Sequence, residues 1–392
     1  MPNPKLSNQP SLDDIVEFGN TLHRSGCPPY KVEKFTQHYA RQQGMPSMVQ
    51  ALPTSINYQF PEDNNKVIMK RLEPASIDLS LLAQTIGRLE RSDSEISQTP
   101  FHYPKWAVAL ANLSIPPAYL LLIGSTLEAI GFATILGLLV WGCQQVLTGR
   151  RTIAVEFIAA LLTGICVAGI SSLGYPIPVY ALCIAAVVLF VPGLSIANAL
   201  ECLAFNDLVS GTSLLGQSML TLIKLFIGIF MGLHIGETMW GVSDYLTYTN
   251  DVPTWMHIAG LPVISLAIGI IFNARPKDML LGFPVAILGM WGPYYLGFGS
   301  GWIVGTWLTT VIITLYGTWM AKRMHLTGSI YILQGIIILV PGSRVLVSAS
   351  QSVFEQPILP IPSIGLSALF MFAAIMAGQI TAYSIYSPKI ER

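Results

Sequence analysis

Two proline-glycine pairs, each set in an apolar run, are the residues best placed to do chemistry. Pro192-Gly193 follows the run 185–191 and Pro341-Gly342 follows the run 335–340, each pair preceded by Val and the two 149 residues apart. Proline removes a backbone donor and clashes with the preceding turn, while glycine lets the chain unwind, so each pair interrupts a helix. In a bilayer such a break is tolerated where it lines a cavity, and the new helix N-terminus then turns its N–H groups toward an anion. A carboxylate-bearing solute suits that site. Arg344, just after the second pair, carries a permanent charge whose planar fork binds a carboxylate bidentately, or else it anchors the end of a span.

A second group is ionisable. Lys224 lies mid-run in 221–230, where a charge is costly in lipid and must face the interior of a helix bundle. Its alternatives are an ion pair with Glu201 or Glu128, or a direct role with solute or proton. Glu128 and Glu156 lie near the starts of apolar runs, where a side chain reaches the interface. Gly228, Gly232 and Gly236 repeat every four residues and read as a close helix-packing face.

The elements that must hold these residues follow from composition. The chain has 392 residues, 52% hydrophobic and only 11% charged, with a mean hydropathy of +0.57. Soluble domains carry roughly 25% charged residues, which excludes an ordinary soluble protein. The 21 basic and 21 acidic side chains cancel, so no net field draws the chain to nucleic acid. Their distribution is uneven: residues 1–105 hold 22 charged side chains and residues 106–392 hold 20, about 21% against about 7%. A soluble-like head therefore precedes a membrane-like body, with no cleaved signal at the start.

In the head, Leu12, Ile15, Val16, Phe18 and Leu22 recur at helical spacing, and Gly26, Pro28 and Pro29 end that run. A second helix is expected over 30–41, strands over 49–60 and 66–73 around the turn 61–65, and a third helix capped by Asp78. Residues 92–104 read as a linker. The head shows no nucleotide loop, metal box or nucleophile elbow. The chain has no Gly-x-Ser-x-Gly, His-Glu-x-x-His or paired Asp in facing spans, so an enzyme is not expected, nor a cofactor or bound metal. The five cysteines lack CxxC spacing and are expected to pack as small hydrophobes.

A bilayer core about 30 Å thick needs about 20 apolar residues per helix. Ten spans are expected, near 107–123, 126–147, 152–173, 177–200, 213–235, 257–273, 279–297, 301–321, 326–349 and 363–386. Cytoplasmic loops retain Lys and Arg. With the head inside, the inner loops and tail hold Arg150, Arg151, Arg275, Lys277, Lys322, Arg323, Lys389 and Arg392, and the outer loops hold no basic residue. Each Pro-Gly pair then breaks the fourth span of a five-span half. An odd number of spans per half makes the halves run in opposite directions, the inverted-repeat layout of secondary transporters. The expected fold is thus an α-helical polytopic membrane protein of two inverted five-helix repeats with broken fourth helices, preceded by a small α+β cytosolic domain. The expected divisions are 1–104, 105–250 and 251–392.

Gly19, Leu22, Gly26, Val32-Glu33, Gly44, Pro53-Thr54 and Ile77-Asp78-Leu79 resemble the cytosolic domain of the threonine/serine exporter family. Val191-Pro192-Gly193, Asn198-Ala199, Asp207 and Ser210-Gly211 resemble its first membrane half. Ala274-Arg275-Pro276-Lys277-Asp278 and Leu339-Val340-Pro341-Gly342-Ser343 resemble its second; in the first half, Glu201 stands where the family pattern has Asp. The resemblance implies proton-driven export of small polar amino acids, chiefly threonine and serine, from the bacterial cytosol across the inner membrane. Split-chain relatives point instead to dicarboxylates such as succinate, and a membrane-anchored sensor or scaffold is the third reading. The solute-binding candidates are Pro192, Gly193, Ser195 and Asn198 at the first break and Pro341, Gly342, Ser343 and Arg344 at the second. The proton-coupling candidates are Glu201, Asp207 and Lys224. Expected partners are a small carboxylate-bearing solute, the lipid bilayer and protons, with room for a homo-oligomer and none for nucleic acid.

The charge asymmetry predicts that both termini are cytosolic. A membrane-impermeant thiol reagent should fail to label Ser7→Cys or Ser387→Cys in intact cells, and labelling of either would contradict the ten-span arrangement.

Overall fold

The computed structural model describes residues 12–73, 75–90, 101–147, 154–241, 252–299, 301–339 and 364–386. Pro341, Gly342, Ser343 and Arg344 lie outside them, as do Arg150, Arg151, Lys389, Arg392 and most of the expected linker.

The first helix, α1 (Leu12–Arg24), buries Ile15, Val16, Phe18 and Leu22 on one face. It closes as a Schellman motif, with the Cys27 N–H on the Leu22 carbonyl and the Gly26 N–H on the His23 carbonyl. Gly26 sits at φ +83°, where a side chain would be strained. Helix α2 (Pro29–Gln42) starts on proline, whose missing N–H costs nothing in a first turn. Three antiparallel strands follow in the order β1 (Met48–Leu52), β2 (Ser55–Phe60), β3 (Lys66–Arg71). The single strand expected over 49–60 is instead a hairpin, with Leu52 opposite Ser55 across Pro53-Thr54. Pro53 has no N–H for a ladder, so the chain turns there. Val49, Ala51, Ile56, Tyr58 and Phe60 point inward. The Tyr58 hydroxyl lies 3.2 Å from both the Val16 carbonyl and Asn20 Oδ1. A Cβ on Gly19 would come within 2.5 Å of that hydroxyl, which fixes glycine there. Helix α3 (Leu79–Glu90) is capped by Asp78, whose Oδ1 accepts the Leu81 N–H at 2.8 Å.

The body is helical. Among the described residues five helices are long and apolar enough to cross a membrane: α4 (Lys105–Ile123), α5 (Leu127–Val146), α6 (Val155–Ser172), α9 (Leu208–Trp240) and α12 (Trp302–Met324). A sixth span results if α7 (Val179–Val187) and α8 (Gly193–Ala204), bent by 61°, count together. At the remaining expected spans lie α10 (Thr254–Ile271), α11 (Pro276–Tyr295), α13 (Ser329–Leu339) and α14 (Ile364–Ile385). Of these α13 is apolar but short, and α11 contains Pro284 and Pro293. Helix α9 has 33 residues against the 23 expected, a length of about 50 Å, because Asp207 caps it early and Gly241, at φ +90°, ends it late.

The fourth span breaks where Pro192 requires it. Proline disfavours a helical residue before it and clashes with the carbonyl four residues back. The α-helix accordingly gives way to a 3-10 turn at Val188–Phe190, and Val191 is extended at φ −61°, ψ 120°. All nine residues of α7 are buried, its apolar surface covered on every side by neighbouring helices.

The glycine stripe of α9 packs on α6. A Cβ at Gly228 would lie 2.8 Å from the Phe157 carbonyl, and one at Gly232 would collide with the Leu161 carbonyl. Gly216, on the same helix, faces open space. Gly232→Ala should therefore lower stability by roughly 1–3 kcal/mol through overpacking against backbone, while Gly216→Ala should be neutral or stabilising. Unfolding midpoints in denaturing detergent check this, and equal midpoints for the two variants would contradict the packing.

Candidate functional site

The head and body share one hydrophobic cluster, in which Phe35, Ile56 and Leu82 are joined by Ala274, Met279, Ile330, Tyr331 and Leu333. Two polar junctions fix the seam. At the first, the Leu79 and Ser80 N–H groups donate to the Phe272 and Asn273 carbonyls at 2.9 and 3.1 Å. The Asn273 side-chain amide donates to both Asp78 carboxylate oxygens and to the Phe101 carbonyl. Arg275 then pairs with Asp278 at 2.6 Å, and Asp278 also accepts from Tyr331.

The second junction is ionic. Lys31 of α2 is 0% exposed and Glu201 of α8 is 6% exposed. Their Nζ–Oε1 distance is 2.8 Å. The same Oε1 accepts from the Tyr30 hydroxyl at 3.0 Å and the Tyr383 hydroxyl at 2.8 Å, and Lys31 also donates to Ser329 Oγ at 2.7 Å. A buried carboxylate with three donors is compensated; removing one partner from such a pair costs roughly 3–5 kcal/mol.

Between the junctions lies a cavity of about 330 Å³. His23, Cys27 and Thr54 line it from the head, and Ser195, Asn198 and Gln217 from the body. Asn198 Nδ2 donates to the Gly26 carbonyl at 3.3 Å, so the residue after the break touches the turn that ends α1. Among the described residues the wall holds no carboxylate, ammonium or guanidinium. Burial pushes the His23 imidazole below its usual value of 6.5, its hydrogen bond to the Glu73 carbonyl opposing and Arg24 adding to the shift. The ring is therefore neutral, with Nε2 donating to that carbonyl.

Ser195 and Asn198 are thus brought together in the cavity wall. Pro192 forms the break, and Gly193 packs against Ile337 of α13, four residues before Pro341. Glu201 lies in the ionic junction. Asp207 caps α9 by accepting the Ser210 N–H at 3.2 Å, and its buried Oδ2 has no hydrogen-bond partner among the described residues. Burial raises the Glu33 carboxyl above its usual range and the Asp207 charge adds to that. Lys224 pairs with neither Glu201 nor Glu128: its partner is Glu156, because the close glycine contact of α6 with α9 brings those two side chains together. Glu156 is therefore not free at the interface.

Sequence reasoning missed Tyr30, Lys31, Ser329 and Tyr383. The available signal was Lys31 itself, four residues before Phe35 on the apolar stripe of α2, where a lysine is buried only if paired. Among the residues that carry the family resemblance, Gly26, Pro53, Thr54, Ile77 and Asn198 all line the cavity.

Comparison with known proteins agrees with that convergence. The family model for threonine/serine exporters (ThrE) matches residues 13–236, which runs from α1 almost to the end of α9. No curated protein and no solved structure matches the chain.

The buried, neutral His23 makes stability depend on pH. The unfolded chain takes up this proton near pH 6.5 and the folded chain only below that, so between the two values the unfolded state binds more protons and stability falls as pH drops. The unfolding midpoint should fall between pH 7.5 and 5.5 with a component that His23→Gln removes; an unchanged slope in the variant would contradict the assignment.

Proposed function

Because the chain belongs to the threonine/serine exporter family, we propose that it exports threonine and serine from the cytosol, with the cavity at the first helix break as the solute's inner site. The observation that carries this reading is the cavity wall, polar yet free of formal charge. It suits a net-neutral zwitterion. A dicarboxylate such as succinate would enter with two negative charges and meet no cation there, a costly desolvation. At about 330 Å³ the cavity is at the small end of ligand pockets, in keeping with a small solute.

The solute carboxylate is received by the N-terminal N–H groups of α8 at Leu194 and Ser195, in the first turn where backbone donors lack helical partners. Asn198, Gln217 and Thr54 supply neutral donors and acceptors for its other polar groups. Glu33, whose carboxyl is raised by burial and further by the Asp207 charge, is the group that takes up the coupled proton. Glu201 and Lys224, each already ion-paired, are less suited to that role.

The proposed orientation, with the N-terminal unit and both termini in the cytosol of a bacterial inner membrane, has independent support. The head rests on the ends of α8, α10, α13 and α14, the same side to which the charge asymmetry assigns Arg275, Lys277, Lys322 and Arg323. Division at 1–104, 105–250 and 251–392 into a head and two inverted halves is supported by corresponding packing. The first helices of each half, α4 and α10, pack on each other, and third packs on fifth in both, α6 on α9 and α12 on α14.

Efflux of labelled threonine, serine and succinate from proteoliposomes tests the reading. Threonine and serine should leave faster under an imposed proton gradient, succinate should not, and Asn198→Leu should weaken apparent affinity about tenfold, the worth of a lost buried hydrogen bond. Succinate efflux without threonine efflux would contradict the assignment.

A further inference from the structure

We propose that the N-terminal unit is the inner gate of the pathway and that the Lys31–Glu201 pair is its latch. The inference rests on the reading of the cavity as the solute's inner site. Helix α2 of the head supplies Tyr30 and Lys31; the body supplies Glu201 from the inner part of the broken span, Ser329 from the start of α13 and Tyr383 near the end of α14. The Lys31–Glu201 pair thus ties the head to three body helices: the broken helix through the carboxylate, α14 through Tyr383 on the same oxygen, and α13, which leads to the second Pro-Gly pair, through Ser329 on Lys31.

The same docking roofs the cavity, leaving it open only at an exposed rim that includes Thr54, Ala75 and Gln217. Nine of its lining residues come from the head and five from the body, so the way to Ser195 and Asn198 from the head side widens when the two part. Parting separates Gly26 from Asn198, and it separates Lys31 from Glu201, each of which must then find water. A buried ion pair suits a latch because its two states are both tolerable: paired and dry, or apart and hydrated, whereas one charge left buried alone is not. An apolar contact in its place would hold the seam without that alternative.

Cys27 reports on the gate directly. Its thiol is in no disulfide, is 4% exposed, and lies in the cavity wall on the head side. Its alkylation rate in nanodisc-embedded protein, read by peptide mass spectrometry so that the other cysteines do not interfere, follows the fraction of time the seam is open. Glu201→Gln and Lys31→Met should each raise that rate at least tenfold, and the charge-exchanged Lys31→Glu, Glu201→Lys protein should return it toward the wild-type value. Equal rates in wild type and Glu201→Gln would overturn the latch. If Glu201→Gln does not fold, the exchanged pair decides, and labelling as fast as in Lys31→Met overturns the proposal. Saturating threonine should slow wild-type labelling at least threefold; no change while threonine efflux persists would overturn the gate. Absent efflux of threonine and serine, with Glu201→Gln labelling as expected, would overturn the exporter reading and leave the latch standing.

Discussion

A charge taken out of water must be paired, and in this protein that requirement joins a soluble-looking unit to a membrane bundle. Lys31 is fully enclosed, and its carboxylate partner belongs to a helix some 170 residues away in the chain. Satisfying Lys31 and Glu201 together forces α2 against α8. With α2 in place, the turn at Gly26 comes to rest on Asn198, and the space left beneath it is the cavity. The position of the site therefore follows from one buried ion pair supported by two tyrosines.

The broken span is the other half of the arrangement. Pro192 frees backbone groups that lipid could not satisfy, and the fold answers by keeping the break away from lipid: Gly193 is buried against Ile337, and Leu194, Ser195 and Asn198 meet the head. The neighbouring α6 and α9 meet through glycines, backbone against backbone, which leaves little freedom to slide. Rigid packing on one side of the break and a hydratable ionic contact on the other direct any motion toward the seam with the head.

Much of this was legible in the residues. Apolar run lengths gave the helices of the body, proline chemistry gave the break at 192, four-residue glycine spacing gave the packing face of α9 though not its partner, and Asp78 marked the start of α3. Local rules govern each of those features. The hairpin at Pro53-Thr54 was missed although the alternation of apolar residues breaks at Leu52-Pro53-Thr54-Ser55, where Pro53 was the available turn signal and no glycine reinforced it. The pairing of Lys224 with Glu156, and of Lys31 with Glu201, was missed for a different reason. Both unite residues distant in sequence, and nothing in charge or spacing says which carboxylate a lysine will meet until helix packing is known.

The central claim is that solute binds in the seam between head and broken helix. Amide hydrogen exchange, read by mass spectrometry with and without threonine, tests it most directly. The account predicts that threonine slows exchange together in residues 22–30 and 193–200, two segments far apart in sequence that share the cavity wall. Unchanged exchange in both, or protection confined to helices that do not line the cavity, would contradict it.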